Sequence, residues 1–119
     1  MKKTIVLGAT PDSSRYAYLA SNRLVGAGHK IVNVGIKKGE VAGVPIEKPE
    51  VIHSDIDTIT LYIGPRNQHD LYDYILKTKP KRIIFNPGAE NEELKSMAEQ
   101  NGIETTEACT LVLLATGQY

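Results

Sequence analysis

Segments typical of strands alternate with segments typical of helices along the whole chain of 119 residues. Short β-branched or apolar runs predict five strands, at Thr4–Leu7, Lys30–Val34, Thr58–Ile63, Arg82–Asn86 and Glu104–Glu107. Between them, apolar residues recur at the helical spacing of three and four, and a last apolar helix is predicted over Thr110–Thr116. Because parallel strands need crossover helices, this alternation predicts a parallel sheet covered on both faces.

The predicted fold is therefore α/β: a doubly wound, Rossmann-like three-layer sandwich with a five-stranded, mainly parallel sheet of strand order 3-2-1-4-5. The connection Lys37–Asp57 is the exception, because it contains two glycines and two prolines and lacks helical periodicity. We predict an irregular excursion there, with a small hairpin around Glu40–Pro45. The length predicts one domain over residues 1–119.

Charge and cysteine content exclude several classes of protein. Lys plus Arg and Asp plus Glu both total 14, so the formal net charge is zero and the basic excess of a nucleic-acid binder is missing. The apolar run after Met1 stops at Gly8, which is too short for a signal peptide or a membrane span, and we predict a cytoplasmic protein. The single cysteine, Cys109, excludes an intrachain disulfide and a cysteine-based zinc site.

The loop after the first predicted strand favours a phosphate ligand. Gly8-Ala9-Thr10 predicts a tight turn, and Ser13-Ser14-Arg15 opens a helix, so free N–H groups and the positive end of the helix dipole meet there. The loop keeps only the first glycine of the G-x-G-x-x-G fingerprint, with Thr10 and Ser13 at the other two places. The alternative is that Asp12 or Ser13 only caps the helix.

The residues after the second predicted strand narrow the choice of ligand. An NAD site places an acidic residue there, whereas this chain continues from Gly35 to Lys37 and Lys38. Two lysines would attract a phosphate on the ribose, and a ribose phosphate together with a pyrophosphate indicates NADP or coenzyme A. The alternative is that both lysines are solvated surface residues.

These segments, together with Asn86-Pro87-Gly88-Ala89-Glu90-Asn91-Glu92-Glu93, resemble the small stand-alone CoA-binding proteins, which are similar to the N-terminal CoA-binding domain of the succinyl-CoA synthetase α subunit. The resemblance covers nearly the whole chain, and it implies coenzyme A or an acyl-CoA as the ligand. It implies that the pyrophosphate is held by a first group of residues: Gly8, Ala9, Thr10, Ser13, Ser14 and Arg15. It implies that the rest of the ligand is held by a second group: Gly35, Lys37 or Lys38, Ile63, Gly64, Pro65, Asn86, Pro87 and Gly88.

No catalytic constellation is evident in the sequence. His29, His53 and His69 belong to different predicted elements and have no metal-ligand spacing. We therefore predict a non-catalytic binding or regulatory module, with no metal and no catalytic residue. The alternative is an enzyme component, CoA-ligase-like or NADP-linked, that requires a partner chain.

Two features of the C-terminal segment stay open. Cys109 is either a small buried hydrophobe or a thiol activated at a helix N-terminus. The apolar run Leu111–Leu114 packs either on the chain's own sheet or in a homodimer. Beyond the small-molecule ligand, the expected partners are therefore a second copy or an unidentified protein, with neither nucleic acid nor membrane.

Overall fold

The computed structural model describes all residues, 1–119, as a sheet of seven strands with four helices. In chain order the elements are β1 Thr4–Leu7, α1 Tyr16–Gly26, β2 Ile31–Val34, β3 Glu40–Val41, β4 Val44–Glu47, β5 Thr58–Leu61, α2 Tyr72–Thr78, β6 Arg82–Phe85, α3 Glu92–Gln100, β7 Glu104–Glu107 and α4 Thr110–Ala115. Two 3-10 turns, Pro65–Asn67 and His69–Leu71, lead into α2. None of the helices combines the length and apolar character that a bilayer crossing requires.

The α/β fold with a mostly parallel sheet is confirmed, but the predicted five strands and the predicted order 3-2-1-4-5 are wrong. The sheet has the order β3-β4-β2-β1-β5-β6-β7. The strand Thr58–Leu61, expected beyond β2, pairs in parallel with β1 instead. The edge of β2 is occupied by β4, which is parallel to β2 and forms the hairpin with β3. Since this hairpin fills the edge of β2, the next long strand takes the free edge of β1.

Helices cover both faces of the sheet, because side chains of each strand point alternately to the two sides. Ile5 and Leu7 of β1 belong to a core cluster that includes residues of α2 and α3. Val6, between them, belongs to a second cluster with residues of α1 and α4. The central strands β1, β2 and β5 are buried along their whole length, as expected for strands that are covered on both sides.

The register of the sheet brings four loops to one level. Leu7 lies opposite both Val34 and Leu61, and Leu61 lies opposite Phe85. Each of these residues is the last of its strand, so the loops after β1, β2, β5 and β6 leave the sheet side by side. This carboxyl-terminal end of the sheet is where a doubly wound fold binds its ligand.

The opposite, amino-terminal end of the sheet is closed by Tyr119. The Arg82 guanidinium carbon lies 4.6 Å from the centroid of the Tyr119 ring, and the His29 ring packs at 5.0 Å in an edge-on arrangement. The Tyr119 hydroxyl is hydrogen-bonded to the Thr4 hydroxyl, and its main-chain oxygen accepts from the side chains of Lys2 and Arg82. Tyr119 is buried as a result.

Candidate functional site

A cleft of about 740 Å³ opens at the carboxyl-terminal end of the sheet, between the loops that follow β1, β2, β5 and β6. Its volume lies within the range of small-molecule sites. It is lined by most of the residues predicted from the sequence: Gly8, Ala9, Thr10, Arg15, Gly35, Lys37, Ile63, Gly64, Pro87 and Gly88. The remaining predicted residues do not line it: Ser13, Ser14, Lys38, Pro65 and Asn86.

The loop after β1 and the start of α1 present unpaired N–H groups to this cleft. The backbone N–H groups of Thr10, Tyr16 and Ala17 have no acceptor within the chain, and all three residues line the cleft. No side chain caps the helix, which begins after Arg15. Unpaired N–H groups at the positive end of a helix dipole attract an anion.

Asp12 acts on the turn before the helix, not on the helix itself. Its carboxylate accepts the Ser14 hydroxyl at 2.7 Å and the Ser14 N–H at 3.0 Å. These hydrogen bonds lower the pKa of Asp12 below its usual value, the bond from the hydroxyl first. The Asp12 carboxylate is thus hydrogen-bonded within the turn. Neither Asp12 nor Ser13 caps α1, because no side chain accepts a hydrogen bond from the first N–H groups of the helix.

Two glycines allow the loops around the cleft to touch. Gly8 has φ +103°, and an added Cβ would lie 3.0 Å from the Ile63 side chain and 3.1 Å from the Tyr62 backbone. At Gly35 an added Cβ would lie 2.4 Å from the carbonyl oxygen of Ala9, closer than any Cβ can approach. Glycine at these positions is therefore needed for the loops after β1, β2 and β5 to pack against one another.

The two lysines after β2 differ in position. Lys37 lines the cleft, and Lys38 does not. Arg15 lines the same cleft from the start of α1, and the one carboxylate among the lining residues is that of Asp70. The cleft thus combines two cations with the unpaired N–H groups of α1, and its electrostatics favour an anionic ligand.

Gln68, which was not predicted from the sequence, joins the loops on the other side of the cleft. Its side chain is completely buried, and its amide nitrogen donates to the carbonyl oxygens of Ile63 and Ala89, both at 2.8 Å. Its amide oxygen accepts from Asn91, the N-cap of α3, at 2.8 Å. No sequence pattern separates Gln68 from its exposed neighbours Asn67 and His69, because only the fold buries it.

Asn86, which directly follows β6, does not line the cleft and instead links three elements beside it. It is buried, and its amide nitrogen donates to the Thr60 hydroxyl at 2.7 Å and to the Leu61 carbonyl at 3.0 Å. Its amide oxygen accepts the N–H of Thr110, the first residue of α4, at 2.8 Å. With all these groups paired, Asn86 fixes the start of α4 relative to β5 and β6.

The cleft holds neither a metal cluster nor a nucleophile paired with a histidine. No group of three or more His, Cys, Asp or Glu side chains could hold a metal ion. Of the histidines, His53 pairs with Glu47 at 2.9 Å, and His29 lies at the opposite end of the sheet. Burial raises the pKa of Tyr62, which lines the cleft, to about 12, so its hydroxyl is neutral at ordinary pH.

Comparisons with known proteins agree with this geometry. Residues 2–115 match the family described as the CoA binding domain. Among solved structures, an uncharacterized protein is 55% identical with a TM-score of 0.98, over 100% of this chain and 98% of that one. Two further solved structures share the fold. One is a protein from Thermus thermophilus, with 20% identity and a TM-score of 0.86 over 99% of this chain and 90% of that one. The other is a hypothetical protein from Pyrococcus horikoshii OT3, with 22% identity and a TM-score of 0.84 over 93% of this chain and 80% of that one. A search of curated proteins finds no match.

Proposed function

We propose that this chain, which belongs to the family of CoA binding domains, binds coenzyme A or an acyl-CoA in the cleft and acts as a non-catalytic binding or regulatory module. The observation that carries the proposal is the set of unpaired N–H groups of Thr10 in the loop after β1 and of Tyr16 and Ala17 at the start of α1. Such groups stabilise a pyrophosphate without a metal ion or a charged side chain in direct contact. Arg15 adds a positive charge at the same place.

The position of Lys37 supports one direction of the ligand across the sheet. With the pyrophosphate at the start of α1, Lys37 lies on the β2 side of it, where it would pair with the 3′-phosphate of the ribose. The pantetheine arm then runs the other way, across β1 and β5, between Ile63-Gly64 and Pro87-Gly88. Gln68 would act as a positioning residue, since it holds these two loops together.

Calorimetric titration of coenzyme A, dephospho-CoA, NADP and NAD into the protein tests the proposal. We expect coenzyme A to bind tightest and dephospho-CoA about fivefold more weakly, because an exposed ion pair contributes about 1 kcal/mol at most. NADP binding tighter than coenzyme A would replace the proposal by a nicotinamide-linked role. Absence of binding by all four would contradict it altogether.

The two lysines provide a matched pair of variants. Lys37→Ala should remove the preference for coenzyme A over dephospho-CoA, because Lys37 lines the cleft. Lys38→Ala changes the same residue type one position further on, outside the cleft, and should keep the preference. Equal affinity of the unmodified protein for the two ligands would overturn the role of Lys37 and leave the pyrophosphate site untouched.

A further inference from the structure

A smaller side chamber of about 230 Å³ adjoins the cleft, between the loop after β6 and the start of α4. It is lined by Tyr16, Tyr62, Asn86, Pro87, Cys109 and Leu111. Tyr16, Tyr62 and Pro87 also line the cleft, so the two spaces meet at these residues. None of the lining residues carries a carboxylate or a basic group, which distinguishes the side chamber from the cleft.

We propose that the side chamber holds the acyl group of a short-chain, uncharged acyl-CoA whose nucleotide lies in the cleft. The inference rests on the proposed function, because the acyl group reaches the chamber only at the end of a bound pantetheine arm. It goes beyond that function by naming the class of thioester that the site prefers.

The proposed direction of the ligand points its pantetheine arm toward the side chamber. Strands β2 and β6 are separated by β1 and β5, so three inter-strand spacings put the ends of β2 and β6, from which the loops of Lys37 and Pro87 leave, about 14 Å apart across the sheet. Coenzyme A is longer than this distance. A molecule with its ribose phosphate at Lys37 and its pyrophosphate at α1 is therefore long enough for its sulfur to reach Pro87, where the side chamber opens.

The lining selects against charged acyl groups. The polar side chain of Asn86 is already paired with Thr60, Leu61 and the N–H of Thr110. The other polar groups of the lining are neutral, among them the buried Tyr62 hydroxyl, which has no partner within the chain, so a carboxylate would meet no cation there. A buried carboxylate without a countercharge is strongly unfavourable, whereas methylene groups gain from leaving water. At about 230 Å³, less than a third of the volume of the cleft, the chamber suits a short acyl group.

Calorimetric titration of coenzyme A, butyryl-CoA and succinyl-CoA tests the inference with one nucleotide and two acyl groups of equal carbon number. We expect butyryl-CoA to bind about tenfold tighter than coenzyme A, because its methylene groups become buried. We expect succinyl-CoA to bind no tighter than coenzyme A. Equal affinities of butyryl-CoA and coenzyme A, or a preference for succinyl-CoA, would overturn the inference and leave the proposed function standing.

Two tryptophan substitutions on α4 add a matched control. Leu111→Trp puts a larger side chain at the chamber wall and should lower the ratio of butyryl-CoA to coenzyme A affinity to about one, since the methylene groups lose their burial. Val112→Trp, at an exposed neighbour outside the chamber, should keep the ratio. An unchanged ratio in Leu111→Trp would overturn the inference. If no CoA compound binds the unmodified protein, the proposed function and this inference both fail.

Discussion

The two ends of the sheet differ in whether their polar groups have partners within the chain. At the amino-terminal end, the side chains of Lys2 and Arg82 both donate to the main-chain oxygen of Tyr119, and the Arg82 guanidinium also packs on the Tyr119 ring, so these two cations contact groups of the chain itself. At the carboxyl-terminal end, the N–H groups at the start of α1 have no acceptor, and Lys37 has no ion-pair partner. The comparison indicates that one end stabilises the fold and the other is built for a ligand.

Tyr119→Ala tests the stabilising end and should give the largest effect on stability. Removing a buried aromatic ring that packs on His29 and Arg82 should lower the free energy of unfolding by about 3 kcal/mol. Urea denaturation measures this loss, and the affinity of the folded protein for coenzyme A should stay the same. Tyr119→Phe, which removes only the hydrogen bond to Thr4, should cost about 1 kcal/mol. A loss of affinity without a loss of stability would contradict the division between the two ends.

Gly35→Ala tests the binding end. The added methyl group would meet the Ala9 carbonyl at 2.4 Å, so the loops after β1 and β2 must separate, at a cost of about 2 kcal/mol. Because these loops carry the proposed pyrophosphate and ribose phosphate sites, coenzyme A binding should weaken as well. Both quantities are measured, by urea denaturation and by calorimetry.

Gly26→Ala is the control for Gly35→Ala. Gly26 lies in the last turn of α1, and an added Cβ there has no atom within 4 Å. Alanine is the better helix former, so stability should rise by about 0.5 to 1 kcal/mol with unchanged affinity. If Gly35→Ala behaved like Gly26→Ala, the contact between the two loops would not shape the cleft.

The local elements were predictable from the sequence because their signals are local. Thr4–Leu7 and Glu104–Glu107 were predicted with the observed bounds, and the hairpin around Glu40–Pro45 was also expected. The strand order was not predictable from the sequence, because it depends on which edge of the sheet is still free when a later strand is added. The hairpin takes the edge of β2, and nothing in the sequence of Thr58–Leu61 reveals that it must therefore pair with β1.

The residues of the candidate site also divide into those that the sequence predicts and those that only the fold reveals. Gly8 and Gly35 stand directly after strands and Lys37 stands in the loop after β2, where the type of residue already indicates a ligand, and all three line the cleft. The sequence could not separate Lys37 from Lys38, because adjacent residues in a loop differ only in the direction of their side chains. Gln68 was missed for a related reason: a glutamine acts as a link only when two carbonyl groups are brought to it.

Gln68→Leu tests whether a buried hydrogen-bond network at the carboxyl-terminal end of the sheet affects both stability and ligand affinity. Leucine has a similar size but leaves the carbonyl oxygens of Ile63 and Ala89 unpaired, at a cost of about 1 to 2 kcal/mol of unfolding free energy. The two loops should also lose their fixed spacing, so affinity for coenzyme A should fall, unlike in Tyr119→Ala. Arg66→Leu, in the exposed turn before it, should change neither quantity. Lost stability with full affinity would make Gln68 a structural residue only.

The smallest expected effect is the pH dependence of the amino-terminal end, and it arises from His29. Burial lowers the pKa of His29 below its usual value of 6.5, with the nearby positive charges of the N-terminus, Lys2 and Arg82 acting in the same direction against that of Asp57. The ring nitrogen Nδ1 of His29 also accepts the N–H of Lys2 at 3.0 Å, which requires an unprotonated nitrogen.

Because the pKa is lower in the folded state, the unfolded chain binds more protons below about pH 6.5, and stability should fall as the pH drops through this value toward the folded pKa. His29→Gln keeps a side-chain acceptor but cannot titrate. Urea denaturation of both proteins at about pH 7.5 and about pH 5 should therefore show a larger loss of stability in the protein with His29, while the carboxylates common to both cancel. An equal loss in the two proteins would show that His29 is solvated enough to titrate normally, and that the amino-terminal end owes its stability to Tyr119 and Arg82 alone.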